Sequence, residues 1–467
     1  MTEPSPSQSA PISGGFADFL PKRSAGLKLL LVCGLAVLMI IPALLVHGIV
    51  YERSSGLQTA INEVSESVGG QQAVLGPVLA VPYSHTPDPK KPDKVVYGVA
   101  VAYAETGTAN SIVNVQEKKR GIHTIPVFEA DLEFDAVFDP AALRGAIPLN
   151  AEAIWDDARL FLGVSDTRGI KEAIDVTANG RALSIEPISQ SSIMGGYSIA
   201  PVAGVTLAGG KLSGLATAER PIQVKAAFRI SGAQRFAIGP FAKDTTVSMT
   251  SNWSSPSFQG GVLPDRHTAG ESDEGFEANW RVPYLARGIA GSGANLDLSV
   301  VTSWNYRDMA VNFIKEASPY QSVERALKYA AMFIGFVFLA YFLFEITSNV
   351  RAHPAQYVLV GLAQTIFYML LLAFSERIGF DFAFLIAAIM TVSLTSFYAQ
   401  SVFRSRAYGL RAFGILSGIY ALIYVLMRAE NHALLAGAIA SFSAIALTMY
   451  MTRNVDWYGD QKPALAA

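Results

Sequence analysis

Glu345 is the residue of this chain whose type and position most strongly suggest chemistry. It ends the apolar segment Tyr341–Glu345, inside a run long enough to cross a membrane. An ionisable group at that depth predicts an ion or proton site by default, because charge in hydrocarbon is costly. The alternative is a carboxylate near the interface, hydrogen-bonded to a neighbouring helix or reaching lipid headgroups, with Arg351 close in sequence. We favour the alternative, since no second acid lies mid-span to relay protons with Glu345.

Two tryptophans form the second group of interest. Trp253 and Trp280 lie in a stretch rich in Ser, Gly and Pro, at residues 250–280. They could form a stacking platform for a glycan or a peptide. They could equally cover the core of a β domain, which we favour because buried aromatic side chains contribute much of the area of protein cores.

Four acidic residues alternate along one segment of the chain and raise the question of calcium. Side chains two positions apart on a strand stand about 7 Å apart, which is too far for one Ca²⁺ without ligands from loops. We therefore interpret them as a solvated strand face. The four are Glu129, Asp131, Glu133 and Asp135.

Other catalytic and metal-binding patterns are missing from the sequence. His85, His123 and His267 are dozens of residues apart and lack the spacing of zinc ligands. The motifs G-x-S-x-G, H-E-x-x-H and G-x-x-x-x-G-K-[ST] do not occur. We predict no catalytic residue, metal or cofactor, and expect that the protein is not an enzyme.

Membrane helices must hold Glu345 in place. The apolar run 27–50 is longer than the hydrophobic core of a signal peptide and no cleavage-like site follows it, so it predicts an uncleaved anchor. Five further membrane-length runs lie in the last third of the chain. They span residues 326–347, 355–374, 380–403, 409–427 and 433–451.

The positive charges predict the orientation of these six spans. Lys and Arg are retained on the cytoplasmic side of bacterial membranes. Nine lie before or at the start of the first span, after the last span, or in and around alternate loops, against two, Arg377 and Arg428, in the other loops. We therefore predict that both tails (1–26 and 452–467) are cytoplasmic, that the first tail is disordered, and that residues 51–325 lie in the periplasm.

Charge and cysteine content limit what the protein can do and how its external domain is stabilised. The formal charge of −2 gives no electrostatic basis for binding nucleic acid. The single cysteine, Cys33, lies within the first span, so the external domain has no disulfide and must be stable through its own core.

The external domain is predicted to be mostly β. Within 123–139 the even positions from Phe128 to Phe138 are apolar and alternate with the acidic residues from Glu129 to Asp135. Residues 222–230 repeat the alternation, which is typical of antiparallel strands with one wet face. Asn179-Gly180 predicts a type I′ hairpin turn. One helix, Ser55–Val68, is predicted to continue from the first span, to rest Leu57, Ile61, Val64 and Val68 on the sheet, and to stop at Gly69-Gly70. We expect a sandwich-like domain or two joined sheets.

Several segments make the chain resemble a known family. They are Ile41–Arg53, Phe344–Ile346, His353–Leu362 and Thr452–Tyr458, together with the tryptophan stretch. In matching order from about residue 27 to 458, they resemble the CreD family of bacterial inner-membrane proteins. The chain departs from that family in a longer polar N-terminus, Met1–Pro21, and in the Pro/Lys loop Pro87–Lys94.

The resemblance implies an inner-membrane location, a role in cell-envelope integrity and expression tied to a two-component response. It supplies no catalytic residue. We expect a non-catalytic protein of envelope-stress adaptation whose known partner is the lipid bilayer, with any envelope or cell-wall partner open. The alternatives are a transporter or channel, a periplasmic sensor of wall fragments that acts through a membrane partner, and a periplasmic hydrolase, for which the sequence holds no motif.

Overall fold

The structure is a computed structural model. It describes residues 25–86, 95–121, 123–187, 206–269, 275–294, 307–313, 319–348, 350–428, 433–455 and 457. The predicted disordered tail, the loop Pro87–Lys94 and most of the C-terminal tail lie outside the described residues. The chain divides into two compact units, residues 1–55 with 317–467 and residues 56–316.

The first unit consists of helices. Its N-terminal part comprises α1 (Ala25–Leu38) and the start of α2 (Ile40–Val68), which are separated only at Met39. From Gly56 onward α2 belongs to the second unit. The interruption falls three residues before Pro42, whose ring crowds the preceding turn and which has no N–H to donate. Two short helices, α3 (Pro140–Gly145) and α4 (Tyr284–Arg287), belong to the second unit. The other helices of the first unit are α5 (Pro319–Lys328), α6 (Ala330–Ser348), α7 (Pro354–Ile378), α8 (Phe380–Val402), α9 (Arg406–Arg428) and α10 (Ala433–Thr452).

Six helices among the described residues are long and apolar enough to cross a membrane. One is N-terminal and comprises α1 and α2 together (Gly26–Val68), and five are C-terminal, α6 to α10. The predicted count and arrangement are confirmed. The short helix α5 precedes this C-terminal group and is amphipathic, burying Tyr320, Val323 and Leu327 while its charged residues face outward.

The second unit is built from strands. Its two short helices are α3 (Pro140–Gly145) and α4 (Tyr284–Arg287). The described strands are β1 (Gln72–His85), β2 (Val96–Arg120), β3 (His123–Phe138), β4 (Ala151–Ala153), β5 (Arg159–Val164), β6 (Asp175–Ala178), β7 (Arg181–Leu183), β8 (Glu186–Pro187), β9 (Thr206–Lys211), β10 (Ile222–Ala233), β11 (Arg235–Ile238), β12 (Ala242–Ser251), β13 (Pro256–Gly260), β14 (Arg266–Ala269), β15 (Phe276–Val282), β16 (Ser292–Ala294) and β17 (Met309–Phe313).

Two sheets share the long strand β2. Its first residues, 96–103, pair with β1 in one sheet, which continues through β5, β9 and β8 on one side and β11, β17 and β13 on the other. Its later residues pair with β3 and β12 in the second sheet, ordered β7-β6-β10-β3-β2-β12-β15-β14. Pairing is antiparallel except at β1–β11 and β2–β12. The predicted mostly antiparallel domain of joined sheets is confirmed.

The period-two pattern places the core. On β3 the even-numbered side chains from Phe128 to Phe138 are buried, and on β10 those from Ile222 to Ile230 are buried. Side chains on one face of a strand repeat every two residues, so both strands present their apolar face to the same core. That core also takes side chains from β1, β5, β12 and β15.

The last turns of α2 pack against the strands of the β domain. Val64 and Val68 pack against Val127 and Ala233, which confirms the predicted contact of this helix face for these two residues. Gly69 and Gly70 then take positive φ values of 97° and 67°, which ends the helix where the sequence predicted.

The carbonyls at this helix end are satisfied by the β domain. The Ser231 hydroxyl donates to the Val68 carbonyl (2.8 Å), and the Gln72 amide donates to the carbonyls of Gly69 (2.8 Å) and Asp166 (3.0 Å). The Ala233 N–H donates to the Gly70 carbonyl at 2.7 Å. These bonds fix the direction in which the chain leaves α2.

The predicted hairpin is also present. Asn179 and Gly180 connect β6 to β7 with φ values of 48° and 79°. Both central residues of a type I′ turn need positive φ, which Asn and Gly adopt at low cost.

Candidate functional site: a buried carboxylate in the helix bundle

Glu345 lies near the end of α6, with only 8% of its side chain exposed. Its surroundings within the first unit are apolar and aromatic, and an ionised carboxylate there requires hydrogen-bond donors. The structure supplies three of them, from α1, from the α6–α7 connection and from α7.

The first donor is Lys28 of α1, whose ammonium group forms an ion pair with Glu345 Oε1. The same oxygen accepts the backbone N–H of Ala352 at 3.1 Å. The Tyr357 hydroxyl donates to the other oxygen, Oε2, at 3.0 Å. Lys28 also donates to the Ala352 carbonyl at 3.1 Å, so these four residues form one network, called here the Glu345 cluster.

Local sequence explains why two of the donors stand here. His353 is the N-cap of α7, and its ring Nδ1 accepts the Ala355 N–H at 3.2 Å. The Gln356 side chain accepts the His353 N–H at 2.9 Å, which completes a capping box, and Pro354 stands at the first helical position. This start of α7 places Ala352 just before the helix and Tyr357 in its first turn.

The hydrogen-bonded interpretation of Glu345 holds, but its partner differs from the predicted one. Arg351 is exposed and makes no ion pair with Glu345, whereas Lys28 does. Arg351 was the expected partner because it lies close to Glu345 in sequence. The sequence alone gives no distance between α1 and α6. The available signal was Lys28 itself, a charged residue in the first turn of an apolar span, whose long side chain can reach a nearby acid.

A second polar contact joins two spans deeper in the bundle. The Tyr420 hydroxyl of α9 donates to Gln364 Oε1 of α7 at 2.8 Å, and both side chains are buried. Hydrogen bonds of this kind hold membrane helices together.

Polar contacts also lie at the other end of α7. Glu376 accepts a hydrogen bond from the Tyr320 hydroxyl of α5 at 3.1 Å. Burial of Tyr320, with the adjacent Glu376 carboxylate, raises the pKa of this phenol to about 12. At the neighbouring helix ends Asp381 pairs with Arg428 and accepts from the Tyr424 hydroxyl at 3.0 Å.

The two tryptophans differ in how deeply they are buried. Trp280 on β15 is 1% exposed, and its ring meets that of Phe258 edge-on at 5.9 Å. Trp253 is half-buried against the same core and donates from Nε1 to the Ser255 carbonyl at 3.0 Å. Trp280 therefore belongs to the core and presents no open face on which a ligand could stack.

The acidic face of β3 is met by cations on β10. Arg229 bonds to Asp131 at 2.6 Å and Lys225 approaches Asp135 to 3.7 Å. These cross-strand pairs follow from the register, in which Arg229 faces Asp131 and Lys225 faces Asp135. Among the described residues no group of three or more His, Cys, Asp or Glu side chains could hold a metal ion.

Together these features define a polytopic membrane protein with a large β domain inserted between its first and second candidate spans. Comparison with known proteins gives its family. The family model described as Inner membrane protein CreD matches residues 24–458, and the chain belongs to that family. Inner membrane protein CreD of Escherichia coli (strain K12) is 31% identical over 443 residues, covering 93% of this chain and 94% of that protein. The family resemblance drawn from the sequence is confirmed.

Proposed function

We propose that this protein is a non-catalytic inner-membrane protein that supports cell-envelope integrity under stress. Both termini would be cytoplasmic, and the β domain would act in the periplasm on an envelope or cell-wall partner. Membership of the CreD family supports the inner-membrane location. The role in the cell envelope is what the resemblance to that family implies. The distribution of positive charges supports the orientation, because it places nine Lys and Arg residues with the termini and alternate loops.

The observation that carries the structural role is the closed hydrogen bonding of Glu345. Both of its oxygens are occupied, by Lys28 and Ala352 on one and Tyr357 on the other. An ion-binding or proton-relaying carboxylate needs a free coordination position or an open path, whereas a group that holds spans together needs satisfied partners. The cluster therefore supports a helix bundle whose spans are held together and which serves as a membrane anchor.

Orientation is tested by single-cysteine labelling. Cys33 is replaced by Ser, and one cysteine is introduced at Leu149, at Arg377 or at Arg406, all of which are exposed. A membrane-impermeant maleimide added to spheroplasts should label the first two positions, and Arg406→Cys only after permeabilisation. Labelling of Arg406→Cys in intact spheroplasts would contradict the proposed topology.

Function is tested in a host strain from which the gene has been removed. Expression of the intact chain should restore growth in detergent and exclusion of a hydrophobic dye. Lys28→Glu and Glu345→Lys should each reduce the amount of protein in membranes and its protective effect, because like charges then meet in the cluster. The double variant Lys28→Glu with Glu345→Lys should recover part of the protein amount and part of the protection, since the ion pair re-forms with the two charges exchanged.

One outcome separates a structural from a chemical role. If Glu345→Gln accumulates normally yet protects no better than an empty vector, the carboxylate itself acts and the anchoring proposal fails. Solute flux in proteoliposomes that disappears with the same substitution would then identify a transporter. Crosslinking of the intact protein in stressed cells, followed by identification of the captured neighbour, tests the proposed periplasmic partner.

A further inference from the structure

Two polar side chains one turn apart on α7 are completely buried near the middle of the bundle. Gln364 and Tyr368 are both 0% exposed, and they are four positions apart, which places them on one face of the helix. Gln364 lies ten residues into α7, roughly 15 Å from its first residue at a rise of 1.5 Å per residue. This depth is far from either end of a membrane span.

Their hydrogen bonding is incomplete within the described part of the chain. Gln364 Oε1 accepts from Tyr420, but the amide nitrogen Nε2, with two N–H groups, has no acceptor. The hydroxyl of Tyr368 likewise has no partner there. Three donor hydrogens of these two side chains therefore lack an acceptor among the described residues.

Aromatic rings surround these groups and make the site apolar otherwise. The Phe333 ring lies 4.8 Å from that of Tyr420 and 6.2 Å from that of Tyr368. Phe367 lies 4.8 Å from Tyr420 and 5.1 Å from Tyr368. The ring atoms accept hydrogen bonds only weakly, so they do not replace a true acceptor.

An unpaired donor in such surroundings is unfavourable. Native interiors pair the great majority of buried polar atoms, often through an internal water molecule that makes two to four hydrogen bonds. In hydrocarbon the requirement is stricter, because no bulk water reaches the site. The rings of Phe333 and Phe367, which lie against Tyr368, are uncharged and therefore favour a neutral partner.

We propose that Gln364, Tyr368 and Tyr420 form a binding site for internal water inside the helix bundle. Water accepts from Gln364 Nε2 and exchanges a hydrogen bond with the Tyr368 hydroxyl, and Tyr420 holds the Gln364 amide in the orientation that presents Nε2. The water completes the hydrogen bonding of two side chains of α7, beside the direct bond from Tyr420 of α9 to Gln364 Oε1. It is a second polar centre of the bundle, separate from the Glu345 cluster.

X-ray radiolytic footprinting of the intact protein in detergent tests this directly, since hydroxyl radicals form at bound water and modify the adjacent side chain. Tyr368 should be modified although it is fully buried, and Gln364→Leu should abolish that modification. Phe338, 1% exposed in the same bundle, is the matched buried ring and should stay unmodified. If Tyr368 is modified no faster than Phe338, the proposal is wrong.

Thermal unfolding of the variants gives a second measurement. With water bound, Gln364→Leu and Tyr368→Phe should each lower Tm by about 3 °C or more, and the double variant should lose less than the sum, because one water serves both groups. A dry site predicts the reverse, namely an unchanged or raised Tm for Tyr368→Phe and strict additivity. Tyr450→Phe, at an exposed position of α10, is the control for loss of a tyrosine hydroxyl.

Discussion

Lys28 and Glu345 form an ion pair inside the helix bundle although 317 positions separate them in the sequence. The two side chains differ in exposure, 29% for Lys28 and 8% for Glu345. The ammonium group can therefore reach solvent or headgroups if its partner is lost, whereas the carboxylate cannot. Removal of either partner should consequently have unequal effects on stability.

Lys28→Met should destabilise the bundle more than Glu345→Gln. The first leaves a buried carboxylate with two neutral donors and should cost about 3 kcal/mol. The second leaves a partly exposed ammonium and a neutral amide, and should cost about 1 kcal/mol. Unfolding in mixed micelles with increasing sodium dodecyl sulfate measures both. Lys328→Met, which removes a 66% exposed lysine of α5, is the control. Equal losses for the two variants would contradict the asymmetry.

Tyr357→Phe removes one hydrogen bond from the same carboxylate. Because the acceptor is charged and buried, we expect a loss of about 2 kcal/mol in the same assay. The Phe variant keeps the ring contact with Phe338, whose centroid is 5.7 Å away. A loss no larger than that of Tyr450→Phe would show that the hydroxyl bond contributes nothing.

Gln72→Leu should loosen the junction between α2 and the β domain. The wild-type amide is 0% exposed and donates to the carbonyls of Gly69, Asp166 and Ser231, which would all lose a partner. We expect a cost of about 3 kcal/mol and faster amide exchange around Gly70. Gln71→Leu, at the exposed neighbouring position, is the matched control and should change neither quantity.

Two glycine substitutions should have opposite signs. Gly180 has a φ of 79° and Gly56 lies inside α2, and no atom would contact an added Cβ at either position. Gly180→Ala should therefore cost about 1 kcal/mol through backbone strain alone. Gly56→Ala should stabilise the helix by up to about 1 kcal/mol. If Gly180→Ala also stabilised the protein, the positive-φ turn would be absent.

Asp166 should give the β domain an acid-sensitive contribution. Its hydrogen bonds with Arg168 lower the pKa of the carboxyl below its ordinary value. Because the folded-state pKa is the lower one, the stabilisation is complete above the ordinary carboxyl range and is lost as the pH falls through that range and below it. Tryptophan fluorescence should show wild type losing stability relative to Asp166→Asn below about pH 5. Asn keeps a side-chain oxygen that can accept the Arg168 N–H, as Asp166 Oδ1 does, and it does not titrate. Parallel pH profiles of the two proteins would therefore contradict a contribution from the Asp166 carboxylate.

Local patterns in the sequence determined much of the fold. Apolar length fixed the candidate spans, because a helix of about 20 residues matches the hydrocarbon thickness. Alternation on β3 and β10, the stop at Gly69-Gly70 and the Asn179-Gly180 turn followed from the side-chain period and the positive φ that glycine allows. These features depend on residues within a few positions of one another.

Only the tertiary structure decided which distant groups meet. Lys28 rather than Arg351 pairs with Glu345, Tyr420 bonds Gln364, and the parallel pairing of β2 with β12 joins strands far apart in the sequence. A pattern tells which face of an element is apolar, but the partner of a polar side chain depends on how whole elements pack. The structure also places Trp280 in the core, which is the interpretation that the sequence favoured.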